Sequence, residues 1–514
     1  MAAAPAPLLA LRQYFVTYAT HIGKGKTTMK KRMLALSLAM TMPLFSGQAS
    51  AQVRHLYLAA TDGYHHLPDH NVYGITPATL ATAPYRKVYM RGFCDDVDGT
   101  QAVPGCANMP APIIDVTQGD DVFVHLRNIG NANPYAPADP HTIHLHGMEL
   151  TTQNDGFNET AFEVPDTPGQ NTAVYYFKAQ KPGTYMWHCH VEASEHITLG
   201  MYGAMVIRPR RATFNSVYGG NYLDRFDKEY LMVLTDVDTR SRDFIQLAAA
   251  PAGSPAEAEL LRRFDKDSNG TLEPEEQYNF TDFKANWWMV NGRAFPDTLL
   301  PVTPAATTAA CNNGTGRSLV VSDTGDFEGC NPPASGPLSG FLTGSNNATS
   351  YAALVDANYN DNVLMRLINI GYTEVPWHAH GWHFTRVGKD ANPIDPTNQK
   401  QEYTVHIGSG ETHDMITRFK DLRTTGGYAS NSMISNQGSG LNEIAGAWGV
   451  YGIDPAAHDN NLDVQWYPMH SHNDYFVTNN GAYPGGMAVL VRATTAPPPA
   501  ASTTRQRGSA PRRR

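Results

Sequence analysis

Four His-x-His pairs punctuate this chain, at His144/His146, His188/His190, His378/His380 and His470/His472. Alternate side chains of a β-strand share a face, so each pair presents two imidazoles to one side and its middle residue to the other. The pairs come in two rounds. An early pair followed by glycine stands in "HTIHLHG" (141–147) and again in "VPWHAHG" (375–381). A late pair stands in "MWHCHVE" (186–192) and again in "YPMHSHN" (467–473). Such a chain is expected to build one strand-based unit twice. Eight imidazoles are more than one tetrahedral zinc can use; imidazole-rich sites with open positions suit copper or iron, and the number implies several ions.

The two rounds differ at one telling place. Cys189 lies between the histidines of the first late pair, and Ser471 between those of the second. With His188 and His190 aimed at a shared cluster, Cys189 faces into its own unit. There it can meet His141, three residues before His144, and His196 and Met201 from the following loop. Two histidines, a thiolate and a weak axial methionine make a blue-copper electron-transfer site. Val375 and Ser471 hold the places of His141 and Cys189 in the second round, which therefore keeps the cluster residues and lacks the mononuclear site.

The remainder reads as β structure. "APIIDVTQGDDVFVHLRN" (111–128) has a strand, a Gly-Asp turn and an alternating strand, and "VLMRLINIG" (363–371) resembles its second half. The expected fold class is all-β, two Greek-key sandwiches over 52–215 and 228–493, with insertions at 241–285 and 303–348 in the second. The ends stand apart. Residues 1–28 precede "MKKRMLALSLAMTMPLFSGQASA" (29–51), a basic start, a short apolar run and a small-x-small end, which reads as a secretory signal peptide. Residues 494–514, rich in Pro, Ala and Arg, read as a disordered tail. The expected location is periplasmic or secreted, with no later segment apolar enough to span a bilayer.

Charge and cysteine usage narrow the classes further. Six Lys/Arg in 1–51 and five in 505–514 are balanced by no acids, so taking these eleven cations from a net charge of −9 leaves −20 for the body. That argues against a nucleic-acid partner and mildly favours cationic substrates. Cys94 and Cys106 bracket one loop, Cys311 and Cys330 another, so two local disulfides are plausible in an oxidising compartment; Cys189 is left over. His65, His66 and His70 in "GYHHLPDH" read as a surface loop, and Glu192 and Glu195 as solvated.

With these residues in view, the chain resembles the multicopper oxidases, in their two-domain form with type 1 copper in the first domain. The resemblance implies cupredoxin-like sandwiches. It implies type 1 copper on His141, Cys189, His196 and Met201, and type 2 copper on His144 and His378. The type 3 pair falls to His146, His188, His190, His380, His470 and His472. The step of seven from Cys189 to His196 departs from the family's usual five, which implies a two-residue loop insertion. The resemblance further implies a homotrimer, with the polynuclear site formed between neighbouring chains. Its activity would be one-electron oxidation of a phenol, aromatic amine or low-valent metal ion at the Cys189 centre, with Cys189, His188 and His190 linking that centre to dioxygen reduction. Asp155, in "TTQNDGF", either supplies an acid near type 2 copper or simply forms an Asp-Gly turn. The alternatives are a copper nitrite reductase, which has no use for the type 3 histidines, and a non-catalytic copper-sequestering protein, which usually carries methionine-rich runs.

A second metal motif lies in the first insertion. "DKDSNGTLEPEE" (265–276) fits a twelve-residue calcium loop, with Asp265, Asp267, Asn269, the Thr271 carbonyl, Glu273 and Glu276 at the coordinating positions. "AEAELLRRF" reads as the entering helix, and Pro274 is compatible with the first turn of an exiting one.

Overall fold

The computed structural model describes residues 51–69, 85–210, 215–220, 223–299, 353–422 and 464–494. The leader and tail readings, and the Cys311/Cys330 pair, fall outside these residues, as does the 303–348 insertion. Among the described residues twenty strands carry the fold. Eight belong to the first sandwich: β1 (Val53–Pro68), β2 (Tyr85–Asp95), β3 (Ala111–Thr117), β4 (Asp121–Asn128), β5 (His144–His146), β6 (Thr172–Lys178), β7 (Gly183–His188) and β8 (Tyr202–Arg208). One sheet runs β2-β1-β4-β6 and the other β3-β8-β7-β5. Between them lies a core of Phe93, Val122, Val124, Leu126, Tyr175, Trp187, Met205 and Ile207, among others.

The second sandwich has β9 (Lys228–Val237), β10 (Trp287–Val290), β11 (Val355–Asn358), β12 (Asn362–Asn369), β13 (Val375–Ala379), β14 (Phe384–Lys389), β15 (Asn392–Pro393), β16 (Gln401–Glu402), β17 (Thr404–Ile407), β18 (Glu411–Arg418), β19 (Val464–Ser471) and β20 (Ala488–Thr494). Its sheets run β10-β9-β12-β18-β14-β15, with β16 on β14, and β11-β20-β19-β13-β17. Strand β20 runs through Thr494, so that residue belongs to the sandwich rather than to the tail. Among the described residues four short α-helices lie outside the sheets: α1 (Thr152–Asp155), α2 (Ala193–Leu199), α3 (Thr239–Ile245) and α4 (Pro255–Phe264). Among the described residues no helix is long and apolar enough to cross a membrane.

Burial explains which strands alternate in sequence. β4 alternates because one of its faces meets solvent. β7, β9 and β12 are buried on both faces, so their sequences "GTYMWH", "KEYLMVLTDV" and "NVLMRLIN" lose the alternation. Their second faces pack sandwich on sandwich: Met186, Tyr202 and Ala204 meet Leu231, Val233, Trp287, Met289 and Ile368. A buried ionic network crosses the same interface. Arg366 Nε bonds Glu229 at 2.9 Å, Asp414 accepts from Thr184 Oγ1 at 2.5 Å and from Tyr218 Oη at 2.6 Å, and Arg208 bridges Glu229 and Asp115. Each charge has a partner there, the condition under which buried ions are tolerated.

Cys94 and Cys106 form a disulfide, with 5.9 Å between their Cα atoms, under the β1–β2 edge. The histidines of "GYHHLPDH" differ from the loop reading. His65 and His66 lie on β1, and His65 is buried with Nε2 donating to the Gly292 carbonyl at 2.6 Å, while His70 lies outside the described residues. A histidine doublet beside Pro and Asp looks like a loop locally; only the long β1–β2 pairing, which no local pattern announces, buries it.

Candidate metal centre

The two early and two late pairs sit on neighbouring strands in matching registers. His144 faces His188 across β5–β7, and His378 faces His470 across β13–β19. In the first set the rings of His144, His146, His188 and His190 gather with centroids 5.0–6.0 Å apart. In the second, His378, His380, His470 and His472 gather at 4.8–5.8 Å. Among the described residues, no ring contact of these eight histidines joins one set to the other. Each sandwich thus presents its own four-imidazole half.

Backbone and hydroxyl partners select the nitrogen each ring leaves open. His188 Nδ1 donates to the Cys189 carbonyl at 2.9 Å, and His470 Nδ1 to the Ser471 carbonyl at 2.8 Å. His144 Nδ1 donates to the Asp155 carbonyl at 2.7 Å, and His378 Nδ1 lies 2.8 Å from Thr404 Oγ1. In the three rings held by carbonyls Nδ1 is occupied as a donor, which leaves Nε2 as the nitrogen that can face a metal, a common ligand arrangement. Burial lowers the pKa of His146, His378 and His380, and takes His188 to about 3, so these rings are neutral at pH 7 and offer lone pairs.

Asp155 serves this geometry as a turn and also stands beside a histidine. It ends α1, and the chain reverses at Gly156 with φ +77°, where any Cβ would overlap the Ile143 carbonyl. Its carboxylate lies 3.5 Å from His144 Nδ1 and is about a third exposed, 36%.

Cys189 follows directly on β7 and faces away from the cluster, into the first core. Its sulfur lies 3.4 Å from His196 Nδ1 and 3.9 Å from His141 Nδ1, and the Thr142 amide donates to it at 3.4 Å. All three side chains are buried and their donor atoms lie within 4.8 Å of one another. Met201 is buried in the same core, and its carbonyl accepts from the Cys189 amide at 3.0 Å. Burial raises the Cys189 pKa, but His196 and the hydrogen bonds to sulfur outweigh it and bring the thiol below its ordinary range. The seven-residue step to His196 is taken up by α2: Glu192 turns left-handed (φ 40°), and one helical turn carries His196 back toward the sulfur.

The outer edge of His196 holds residues the sequence did not flag. Arg91, on β2, places Nη1 2.9 Å from His196 Nε2 and pairs with Asp139, whose carboxylate is 3.7 Å from the same nitrogen. Glu195 joins them, 3.9 Å from Arg91 and largely buried, and with Glu192 and Asp139 forms an acidic group around His196. Glu195 is thus not simply solvated: burial lifts its pKa. Arg91 lies 105 residues from His196, and no spacing pattern links them.

In the calcium-type loop, carboxylate oxygens of Asp265, Asp267 and Glu276 lie within 4.8 Å of one another. Asn269 Oδ1 accepts from the Thr271 amide, and Glu273 accepts from the Thr271 hydroxyl at 2.7 Å. Helix α4 enters the loop, but a turn at 274–276 follows instead of an exiting helix, so the motif is half of a helix–loop–helix. The next residues are held by the 3₁₀ turn Phe280–Asp282 and lead straight into β10.

Residues 95–212 match the family model described as multicopper oxidase. Among curated proteins, the copper-containing nitrite reductase of Neisseria meningitidis serogroup B is 30% identical over 169 residues, covering 33% of this chain and 34% of that protein. The putative laccase-17 of Oryza sativa subsp. japonica is 33% identical over 106 residues, 20% and 17% of the two chains. The chain therefore spans about a third or less of these relatives' length. Among solved structures, the blue copper oxidase from Nitrosomonas europaea aligns over 86% of both chains with a TM-score of 0.47 and 20% identity.

Proposed function

We propose that this chain, which carries a multicopper oxidase domain over residues 95–212, couples one-electron oxidation of a small reducing substrate to four-electron reduction of dioxygen. One observation carries the reading: Cys189 faces His141 and His196, while its neighbours His188 and His190 face the four-imidazole set. The donor chemistry fits copper, with a buried cysteine sulfur, two imidazole nitrogens and a methionine on one side and clustered imidazoles on the other. In this reading His141, Cys189, His196 and Met201 hold type 1 copper, and His144 and His378 hold type 2. His146, His188, His190, His380, His470 and His472 hold the type 3 pair. Copper bound there supplies single-electron transfer and dioxygen reduction. The chain's own part is to bring the Cys189 thiol below its ordinary range, offer the short covalent route from it into His188 and His190, and keep His146, His188, His378 and His380 neutral. Asp155, beside His144, is positioned to hand on protons, four of which accompany four electrons when one dioxygen becomes two waters.

Each sandwich presents four of the eight imidazoles, and among the described residues no ring contact joins the two fours, which supports a polynuclear set completed by halves from two copies. We infer a homotrimer with that set between chains. The acids around His196 favour a cationic reductant, a low-valent metal ion or protonated aromatic amine, over a neutral phenol. The leader pattern supports export to the periplasm or outside. Calcium at 265–276 is part of the same proposal, in a supporting role. Similarity to nitrite reductases supports a second reading, but those need none of the type 3 histidines.

The test is oxygen uptake by copper-loaded protein with a phenol, an aromatic amine, Cu(I), Fe(II) and Mn(II), run beside nitrite reduction. The oxidase reading expects oxygen uptake, absorption near ~600 nm from copper–thiolate charge transfer, and loss of both in Cys189→Ser. Colourless holoprotein with one metal per chain overturns it.

A further inference from the structure

Arg242 belongs to the second sandwich, yet its guanidinium ends against the ligand loop of the first. It is fully buried and, among the described residues, pairs with no carboxylate. Burial pulls its pKa down to about 10, still above neutral, so it remains a cation. A buried cation without an anion is costly; hydrogen bonds from Nη1 and Nη2 offset part of that cost, while Nε has no hydrogen-bond partner among the described residues. Here Nη1 donates to the Tyr89 carbonyl at 2.8 Å. Nη2 donates to the Thr198 carbonyl and lies 3.6 Å from Met109 Sδ.

The choice of carbonyls matters. Thr198 is in the last turn of α2, where carbonyls lack helical partners and carry partial negative charge. It stands two residues after His196 and three before Met201, and the Met201 amide donates back to the His196 carbonyl at 3.0 Å. Tyr89 is on β2, the strand that also places Arg91 against His196. Gly200 closes the bracket, since a Cβ there would press on the Arg91 carbonyl and Met109 Sδ, each 2.9 Å away. Helix α3 has anchors of its own: Asp243 pairs with Arg86 at 2.5 Å and with Arg263 of α4 at 3.3 Å. Losing the Arg242 guanidinium therefore removes the tie and leaves the helix in place.

We propose that Arg242 is a positioning residue for the Cys189 centre, tying the His196–Met201 loop to β2 and to the second sandwich. It sets where His196 and Met201 stand relative to the sulfur and touches neither. The role rests on the copper reading above. It also predicts that the inserted segment 241–285, though remote from the ligands in sequence, governs the properties of the first sandwich's copper.

The experiment compares wild type, Arg242→Gln and Arg242→Lys as copper-loaded protein, reading the thiolate–copper band and the reduction potential of that centre. A parallel measurement follows amide exchange across 193–201 in copper-free protein. In Arg242→Gln the band shifts, the potential falls because a nearby cation no longer favours the reduced ion, and exchange across 193–201 rises about tenfold or more. Exchange on β4 stays unchanged. Arg242→Lys restores the charge but cannot span both carbonyls, so it recovers potential more than protection. Unchanged band, potential and exchange in both variants overturn the proposal. Should Arg242→Gln not fold, Arg242→Lys decides alone through exchange across 193–201, where wild-type protection overturns the tie. Absence of a blue band in wild type would instead sink the copper reading, and the exchange arm would still test the tie.

Discussion

Trp377 stands directly across the strand pair from Ser471, the residue in the place of Cys189. In the first sandwich the matching neighbour of the cluster histidine is Ile143, a smaller side chain, and the space beyond it holds His141, Cys189 and His196. In the second, Trp377 is fully buried in the core with Val375 and Met487, and the Ser471 amide still bonds the Met487 carbonyl at 3.1 Å as Cys189 bonds that of Met201. The frame of a mononuclear site remains and its volume is filled. Ser471→Cys is therefore expected to add no second blue band: a thiolate there meets an indole and a valine, not imidazoles. Spectra of the copper-loaded variant check this, and doubled absorption near ~600 nm per chain would contradict it.

The turn at Gly156 offers a test of how the cluster is supported. Left-handed backbone and the Ile143 carbonyl both exclude a side chain, so Gly156→Ala must shift the chain. The Asp155 carbonyl would then leave His144 Nδ1. We expect a loss of about 1–3 kcal/mol in unfolding free energy and a drop in copper at the cluster larger than at the Cys189 centre. Copper content and denaturant titration measure both; equal loss at the two centres would count against it. Asp155→Asn keeps the carbonyl, so it should retain copper and lose turnover.

What could be read in the sequence, and what could not, follows from how each feature is encoded. The His-x-His pairs are legible because strand alternation is local, and the same alternation aims Cys189 away from His188 and His190. Strand β4 is legible for the same reason. His65 misleads because its burial comes from pairing with a strand twenty-odd residues away and from the Gly292 carbonyl 227 positions on. Arg91, Asp139 and Arg242 act on the ligand loop from distant segments, each through one side chain, and leave no periodic trace. The half-formed calcium motif shows the opposite limit: the twelve-residue spacing is local, whereas the exiting helix depends on what the chain packs against next, and here it turns toward β10.

Calcium should raise the stability of this protein if the loop binds it, since a ligand bound only by the folded state adds about 2.7 kcal/mol at a hundredfold excess over its Kd. Glu276 is the residue on which this turns: it is buried, and its two oxygens accept from the Lys266 and Glu273 amides, closing the loop's ends. Glu276→Gln is expected to abolish the calcium-dependent rise in Tm and leave the blue absorption intact. A rise of equal size in wild type and variant would place the ion elsewhere.

His65 should make stability fall with acid. Burial takes its pKa to about 3 in the folded protein against 6.5 for an exposed histidine, so between those values the unfolded chain binds a proton that the folded one refuses. Stability from this group is full above about pH 6.5 and declines by about 1.4 kcal/mol for each pH unit below it. His65→Gln keeps a donor for the Gly292 carbonyl and has nothing to titrate. Unfolding curves of the copper-free proteins from pH 7 to pH 4 should therefore diverge, with the variant the less acid-sensitive. The copper-site histidines contribute equally to both and drop out of the difference. Parallel curves would mean that the acid form of His65 finds a partner in the folded state.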